Sequence, residues 1–327
     1  MPKKVILDVD TGSDDAIAIM AAILHPELEV IGITTVCGNQ PLENTTENTL
    51  RVVDLLGVDV PVYRGCAGPM VAELNPNRQA HSQQSTKSKE IDGKKVEIHS
   101  EYLNIPPSKT KEQERRAVSY LIDILMASDG DIILIPVGPL TNIGTAMIAD
   151  PRIKKKIKQI VIMGGGHHIS NNTSAAEFNI WKDPEAAQIV FTSGCNVILV
   201  PLDATHEGYV TSSESAKIRA MNTPASIAVA DLLDQRINAY KNLQPLAVED
   251  STPPHDALAV LAAVDESVLE NVQFRHVDVD FSGGIADGRT VVDDRPFPVN
   301  PPNVRIALGC NREKFVKMLM DTIALSK

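Results

Sequence analysis

The sequence predicts an α/β protein: a single domain over residues 1–327, with an open, mostly parallel, Rossmann-like sheet and helices on both faces. Two observations lead to this fold class. Short apolar runs rich in β-branched residues alternate with stretches whose apolar residues recur at helical spacing, and this alternation is typical of a parallel sheet with right-handed crossovers. No repeat or Pro/Gly/Ser-rich linker divides the 327 residues, of which 43% are hydrophobic, so one large core is expected.

The individual elements follow from their periodicity. Apolar runs typical of strands buried on both faces lie at residues 4–9, 29–36, 60–64, 131–137, 159–163 and 196–201. Helical spacing predicts helices at residues 14–24, 42–56, 116–127, 140–149, 184–192 and 225–240, and a further helix after Pro253 and Pro254. Alternation at residues 277–281 and 290–292 predicts peripheral strands. In this fold class the ligand binds beyond the carboxyl ends of the strands.

The segment of residues 66–113 differs from the rest of the chain. It is polar, rich in Ser, Lys and Gln, and lacks sustained periodicity. A loop of this length inside a compact domain is usually either a mobile lid or disordered. We therefore expect a polar loop or insertion here.

Charge and composition exclude several classes of partner. The formal net charge of -11 repels phosphate backbones, and no cluster of Lys and Arg is interleaved with aromatic residues, so we expect no binding to DNA or RNA polymers. No apolar run is long enough to span a membrane. The four cysteines lack CxxC spacing, and the first apolar run is too short for a signal-peptide core, which favours a cytoplasmic protein with reduced thiols.

Four carboxylates fall within eight residues, where the first predicted strand gives way to a helix. Asp8 and Asp10 share one face of the strand. Asp14 and Asp15 fall in the first helical turn, where backbone N–H groups favour negative charge. A helix dipole stabilises one or two carboxylates and no Lys or Arg occurs in residues 5–50, so the remaining charge requires distant basic residues or a bound hard cation. Ligand sets made only of oxygen favour calcium or magnesium.

Two other interpretations of this cluster stay open at this point. In the first, Asp14 caps the helix while Asp8 and Asp10 are solvated. In the second, the chain is a phosphatase of the haloacid-dehalogenase type, with Asp8 as nucleophile and Asp10 as acid. That motif expects Thr or Val at the position of Gly12, which weakens the second interpretation.

A series of motifs agrees in order and spacing with one enzyme family. The motifs are DVDTGSDDA (8–16), TTVCGN (34–39), PVGPLTN (136–142), MGGG (163–166), EFN (177–179), DPEAA (183–187), HD (255–256) and DGRT (287–290). Together they resemble the inosine-uridine-preferring nucleoside hydrolase family, and the resemblance spans almost the whole chain.

The resemblance implies that the protein hydrolyses the N-glycosidic bond of ribonucleosides to ribose and free base. It implies a calcium ion held by Asp10, Asp15, Asp256 and the backbone carbonyl of Val137. The residues implied to bind the ribose hydroxyls and the 5′ end are Asp14, Asn39, the backbone of Met163, Asn171, Glu177 and Asn179. Phe178 is implied to line the sugar and base pocket. A homo-oligomer, either a dimer or a tetramer, is implied as well.

The chemistry of this reaction suits these residue types. Cleavage builds positive charge on ribose, adds water and expels a base that leaves more easily once it is protonated. Calcium lowers the pKa of a bound water, and Asp10 accepts the proton of that water as general base. His255 is expected to protonate the leaving base, because an unperturbed imidazole pKa of ~6.5 lets it carry a proton near neutrality. With a histidine at this position, the chain resembles the subgroup of the family that accepts both purine and pyrimidine nucleosides.

Several assignments have alternatives on the sequence alone. A histidine of the polar segment is implied to reach the base, and we expect His99, with His81 as the alternative. Tyr240 either reaches the base from its helix or packs at the surface. Cys37, next to Gly38, receives no role. A second hypothesis for the whole chain is a calcium-dependent nucleoside or ribose receptor that has the site without turnover.

Overall fold

The strands form one central sheet and three two-stranded pairs in the computed structural model, which describes residues 1–75, 78, 88–91 and 93–327. They are β1 (Lys3–Val9), β2 (Leu28–Thr35), β3 (Val62–Arg64), β4 (Ser88–Ile91), β5 (Lys94–Glu97), β6 (Ile132–Pro136), β7 (Ile157–Met163), β8 (Val197–Val200), β9 (Val210–Thr211), β10 (Ser251–Thr252), β11 (Leu269–Arg275), β12 (Val277–Val279), β13 (Thr290–Val292) and β14 (Val304–Cys310). Within the described ranges, eight of them form the central sheet in the order β11-β14-β8-β7-β6-β1-β2-β3. Neighbours are parallel except β11 and β14, which confirms the predicted mostly parallel sheet.

Helices cover both faces of this sheet. They are α1 (Ser13–Leu24), α2 (Leu42–Leu56), α3 (Ala117–Ala127), α4 (Thr141–Ala149), α5 (Phe178–Lys182), α6 (Pro184–Phe191), α7 (Leu202–Thr205), α8 (Ser212–Arg219), α9 (Pro224–Leu243), α10 (His255–Val264) and α11 (Arg312–Ile323). The core on one face contains residues of α1, α2, α9, α10 and α11, and the core on the other contains residues of α3, α4 and α6. In the part of the chain that the structure describes, no helix is both long and apolar enough to cross a bilayer.

The central strands alternate their side chains between these two cores. In β1, Val5 and Leu7 belong to the core of α1 and α10, whereas Ile6 belongs to the core of α3 and α4. In β6, Ile133 belongs to the core of α1 and α10, and Leu134 belongs to the core of α3 and α4. Each of these side chains removes apolar surface from water on its own face. Burial on both faces therefore explains why these strands are uninterrupted apolar runs.

The predictions miss β11, β14 and α11 in the carboxyl-terminal part of the chain. β11 lies at the edge of the central sheet, and its Glu270 and Asn271 are exposed, so the strand carries no continuous apolar run. Asn271 also has a positive φ of 50°, which interrupts the alternation expected of a strand. The predicted peripheral strand at 277–281 ends at Val279, and the helix after Pro254 is confirmed as α10.

Part of the polar segment is regular, in contrast to the loop expected over residues 66–113. β4 and β5 pair as an antiparallel hairpin inside it. Val96 and Ile98 pack against Ala239 and Tyr240 of α9, so burial of a few apolar residues holds β5 and the residue after it against that helix. This contact carries His99, the next residue, to the carboxyl-terminal edge of the sheet. The alternative candidate His81 lies outside the described residues.

The strand order reverses between β1 and β6. From β1 the chain adds β2 and β3 on one side and then returns to add β6, β7 and β8 on the other. The residues after these strands stay adjacent, because Val137 N–H donates to the Asp8 carbonyl at 2.9 Å and Val36 N–H donates to the Val9 carbonyl at 2.9 Å. Such a reversal leaves a crevice beyond the carboxyl ends of the strands, where ligands of open α/β sheets bind.

Candidate active site

Three aspartates from distant parts of the sequence converge at this crevice. Asp14, Asp15 and Asp256 each place a carboxylate oxygen so that the three atoms lie within 4.8 Å of one another, and all three residues are buried. Asp14 and Asp15 come from the first turn of α1, and Asp256 comes from the first turn of α10. These two helices pack against each other, and their amino-terminal ends meet at the crevice.

Asp10 lies beside this cluster at the end of β1. Its N–H donates to Asp15 Oδ1 at 3.1 Å, and its Oδ2 accepts the N–H of Asn39 at 2.6 Å. Its Oδ1 is buried and accepts no hydrogen bond from the residues that the structure describes. Gly38 and Gly138 enclose the carboxylate closely enough that a Cβ atom at either position would collide with it. The strand ends therefore form a tight cradle that leaves one anionic oxygen without a partner.

Burial and mutual repulsion dominate the electrostatics of this cluster. Burial, followed by the charge of Asp14, raises the pKa of Asp15 to about 7. Burial and the neighbouring carboxylates likewise raise the pKa values of Asp10 and Asp256 well above their usual range. One cation touches the cluster in the described part of the chain, since Arg236 Nη1 lies 3.0 Å from Asp14 Oδ1. A divalent cation would relieve the excess negative charge, and a set of buried oxygen donors fits calcium or magnesium.

A second group of polar residues lines the crevice from the loop before α5. Glu177 caps this helix, with its carboxylate accepting the N–H groups of Gly165 at 2.8 Å, Asn179 at 2.9 Å and Ile180 at 3.1 Å. Burial raises the pKa of Glu177 to about 7, although these N–H groups oppose the shift. Three backbone donors hold the carboxylate in one orientation, with Phe178 next to it at the start of the helix.

Asn179 connects this group to the carbonyl that the resemblance assigns to the cation. Its Nδ2 donates to the Val137 carbonyl at 2.8 Å and to the Met163 carbonyl at 3.2 Å. A carbonyl oxygen has two lone pairs, so the Val137 oxygen can accept this bond and still bind a cation. Asn171 braces the same loop, because its Oδ1 accepts the Phe178 N–H at 3.0 Å.

His255 lies in a buried hydrogen-bonded chain. Its Nε2 is 2.6 Å from the Tyr240 hydroxyl, and its Nδ1 is 2.7 Å from Thr205 Oγ1. Burial, followed by the charges of Arg236 and His206, lowers the pKa of His255 well below its usual value. The expectation of an ordinary imidazole pKa is therefore wrong, because a charged ring would be desolvated beside a guanidinium.

Tyr240 and His99 complete the wall on this side. Tyr240 is 3% exposed, so the surface-packing alternative is wrong for it. His99 Nδ1 accepts the Ser13 N–H at 3.3 Å and lies 3.7 Å from Asp14 Oδ1. Burial lowers the pKa of His99 to about 4, so the ring is neutral at pH 7.

The assembled crevice is a cleft of about 530 Å³, large enough for a small polar molecule. Residues that the sequence analysis selected and that line it are Asp14, Asn39, His99, Val137, Met163, Asn171, Glu177, Phe178, Asn179, His255 and Asp256. Asp10 and Asp15 lie directly beyond Asn39, to which both are hydrogen-bonded. Half-buried Cys37 also lines the cleft, and burial raises the pKa of its thiol.

Sequence reasoning missed Arg236, which lines the cleft and is completely buried. It occurs in the predicted helix 225–240, one turn before Tyr240. A charged residue on the apolar face of that helix is a signal that could have identified it, because buried arginines require partners.

An anionic, carboxylate-lined cleft at the switch point of a parallel sheet defines an α/β enzyme that acts on a small polar ligand. Comparison with known families identifies the enzyme more closely. Residues 5–317 match the model of the family described as "Inosine-uridine preferring nucleoside hydrolase", and the chain belongs to that family. It is a nucleoside N-ribohydrolase, as the resemblance implied.

Individual relatives agree with this assignment. The chain is 37% identical over 321 residues to the pyrimidine-specific ribonucleoside hydrolase RihB of Escherichia coli (strain SE11), covering 98% of this chain and 97% of that protein. A purine-preferring ribonucleoside hydrolase from Gardnerella vaginalis is similar in structure, with 34% identity, a TM-score of 0.85 and 99% of each chain covered. The plant nucleoside hydrolase PpNRh1 has the same TM-score of 0.85 at 29% identity, again over 99% of each chain.

Proposed function

We propose that this enzyme hydrolyses the N-glycosidic bond of ribonucleosides to ribose and free base, with calcium at the aspartate cluster, Asp10 as general base and His255, acting together with Tyr240, as the acid that protonates the leaving base. The observation that carries the proposal is the convergence of Asp14, Asp15 and Asp256 to within 4.8 Å beside the cleft. The family is generally metal-dependent, which agrees with a cation at this position.

The cation ligands in this proposal are Asp10, Asp15, Asp256 and the Val137 carbonyl. Support comes from Asp10 Oδ1, a buried anionic oxygen without a hydrogen-bond partner among the described residues. Calcium is preferred over magnesium because it accepts mixed carboxylate and carbonyl ligands in flexible geometry. When bound, the cation supplies positive charge that lowers the pKa of a bound water and attracts ribose hydroxyls.

Asp10 accepts the proton of the attacking water. Its Oδ2 is held by the Asn39 N–H at 2.6 Å, so Oδ1 is the oxygen free to accept that proton. The enclosure of the carboxylate by Gly38 and Gly138 prevents it from rotating away. A fixed base next to the water removes the need to orient the two groups during the reaction.

Ribose is bound by the polar groups that surround the carboxylate cluster. We assign its hydroxyls and 5′ end to Asp14, Asn39, the Met163 backbone, Asn171, Glu177 and Asn179, with Phe178 against the sugar and base. The support is that all of these residues line one cleft and that backbone donors orient Glu177. Fixed acceptors around the sugar can stabilise the positive charge that develops on it.

The proton for the leaving base comes from the His255 and Tyr240 pair. Both residues line the cleft, and their 2.6 Å contact allows a proton to pass between them. Burial raises the pKa of Tyr240 to about 12, so its hydroxyl keeps its proton at neutral pH. A neutral His255 can therefore orient this hydroxyl while His99 closes the cleft toward the base.

The test of the function is release of reducing sugar and free base from inosine, guanosine, uridine and cytidine by the purified protein with calcium. We expect turnover of ribonucleosides and no release of phosphate from nucleotides. All four nucleosides are compared because similar proteins include a pyrimidine-specific and a purine-preferring hydrolase. Binding of intact nucleoside without base release would instead favour the receptor hypothesis.

Replacing His255 with alanine is expected to lower kcat for inosine and uridine by about 100-fold or more, because a general acid contributes on that scale. The kcat for p-nitrophenyl riboside should fall far less, since nitrophenolate leaves without being protonated. Tyr240→Phe should give the same selective loss, whereas Tyr209→Phe, outside the cleft, should not. Equal losses on both kinds of substrate would argue against the proposed acid.

We propose one domain over residues 1–327, with the segment 66–113 near the active site, and a cytoplasmic homo-oligomer, either a dimer or a tetramer. The position of His99 in the cleft supports the assignment of that segment. The exposed side chains of Ile285, Phe297 and Val299 offer apolar surface for contact between subunits.

A further inference from the structure

Arg236 joins the two sides of the active site through its guanidinium. Its Nη1 lies 3.0 Å from Asp14 Oδ1 and donates to Ser13 Oγ at 3.0 Å, both at the start of α1. Its Nη2 donates to the Pro253 carbonyl at 2.8 Å, just before α10. The side chain is completely buried and its guanidinium carbon lies 5.4 Å from the centre of the Tyr240 ring. Contacts in three directions leave the guanidinium little freedom to move.

The contact with Arg236 distinguishes Asp14 from Asp15 and Asp256, the two other converging aspartates. By distance alone, Asp14 is as well placed for a cation as Asp15 and Asp256, because all three oxygens lie within 4.8 Å of one another. Within the described part of the chain, however, Asp14 is the member of this group that is paired with Arg236. A guanidinium carries a permanent positive charge and repels a second cation from the oxygen that it contacts.

We infer that Arg236 is a positioning residue that keeps Asp14 out of the cation's ligand set and directs its carboxylate to a ribose hydroxyl. The inference rests on the proposed function, since it assumes a cation at the cluster and a ribonucleoside in the cleft. Asp14 lines the cleft, and its Oδ1, although ion-paired with Arg236, accepts no hydrogen bond from the described residues, so the carboxylate remains available to accept a hydroxyl hydrogen bond from the substrate. Selectivity for ribose over deoxyribose thus depends on a residue that need not touch the sugar.

The experiment compares wild type, Arg236→Met, Arg236→Lys, Asp14→Asn and the Arg236→Met/Asp14→Asn double variant on uridine, 2′-deoxyuridine and 3′-deoxyuridine. We expect Arg236→Met to raise the KM for uridine by about 10- to 100-fold, the scale of a lost charge-assisted hydrogen bond. The KM for the deoxynucleoside that lacks the hydroxyl bound by Asp14 should change much less. Arg236→Lys should recover part of the loss, and the double variant should be no worse than Asp14→Asn.

Calcium affinity gives a readout that does not depend on turnover. Titration calorimetry should show that Arg236→Met binds calcium at least as tightly as wild type, because the substitution removes a positive charge near the cluster. Arg219→Met is the matched control, since Arg219 pairs with Asp231 and Asp234 on the surface and should change neither KM nor calcium binding.

Two results would overturn the inference: an equal rise in KM for all three nucleosides, or calcium binding that weakens in Arg236→Met while sugar discrimination is unchanged. The charge-preserving Arg236→Lys variant decides the question if Arg236→Met does not fold. Failure of the proposed function is distinguishable, because wild type would then release no base. In that case the affinities of wild type and Arg236→Met for uridine and the two deoxyuridines, measured by calorimetry, test the role of Arg236 directly.

Discussion

Replacing Asp10 with alanine is expected to lower kcat for ribonucleoside hydrolysis by at least about 1000-fold. The substitution removes the one oxygen that we propose both as proton acceptor and as cation ligand, from a carboxylate that Gly38 and Gly138 enclose closely. Release of reducing sugar from inosine and uridine measures the effect. The assay uses saturating calcium, so that weaker cation binding alone does not account for the loss.

Matched variants separate the chemistry of Asp10 from folding. Asp10→Asn keeps the shape of the side chain without its charge and should lose activity nearly as completely. Asp321→Ala removes an exposed carboxylate on α11 and should keep the wild-type kcat. Because Asp10 is buried among carboxylates that repel it, its removal should not lower the thermal midpoint measured in chelator. Activity within about tenfold of wild type in Asp10→Ala would contradict the proposed role.

Removal of calcium by a chelator is expected to abolish turnover and to lower the thermal midpoint of unfolding. A ligand present at about 100 times its dissociation constant stabilises a protein by about 2.7 kcal/mol. For a chain of 327 residues this corresponds to about 4 °C in the thermal midpoint. Scanning calorimetry with calcium, with magnesium and with chelator measures the difference, and identical midpoints in all three would contradict a structural cation at the cluster.

The calcium-dependent difference in midpoint should grow as the pH rises from about 6.5 to 8. Without a cation the pKa of Asp15 is raised to about 7 in the folded state, so the stability that its retained proton contributes is lost as the pH rises through that value. Bound calcium favours the ionised carboxylates and removes this loss. His99 and His255 have lowered pKa values and change stability mainly below pH 6.5, outside this window. A difference that shrinks with rising pH would contradict the account.

Much of the fold was predictable because its signals are local. The strands at the centre of the sheet are apolar on both faces, so their positions in the chain follow from short uninterrupted runs such as residues 4–9 and 131–137. The edge strand β11 was missed because its Glu270 and Asn271 face solvent, and a half-exposed strand has no such run. The β4–β5 hairpin was missed because it is held mainly by contacts of Val96 and Ile98 with α9, which lies more than a hundred residues away in the chain.

Some features of the candidate site were likewise predictable from local sequence, and others were not. The aspartates after β1 could be recognised as an unusual local concentration of charge, and the ordered motifs identified the enzyme family. The low pKa of His255 and the contact of Arg236 with Asp14 could not be derived in this way. Both depend on burial and on neighbours from α9 and α10, which periodicity does not reveal.

The amino-acid sequence by itself determined the order of most central strands and helices, the chemical types available for catalysis and the enzyme family, because these depend on local patterns and on motifs in order. The tertiary structure alone decided which carboxylates meet, which of them is paired with a guanidinium and which histidines lose their charge. The physical reason is that Coulomb interactions and desolvation depend on distance and burial in space, and residues such as Asp14, Arg236 and Asp256 become neighbours only when the sheet and its helices have packed.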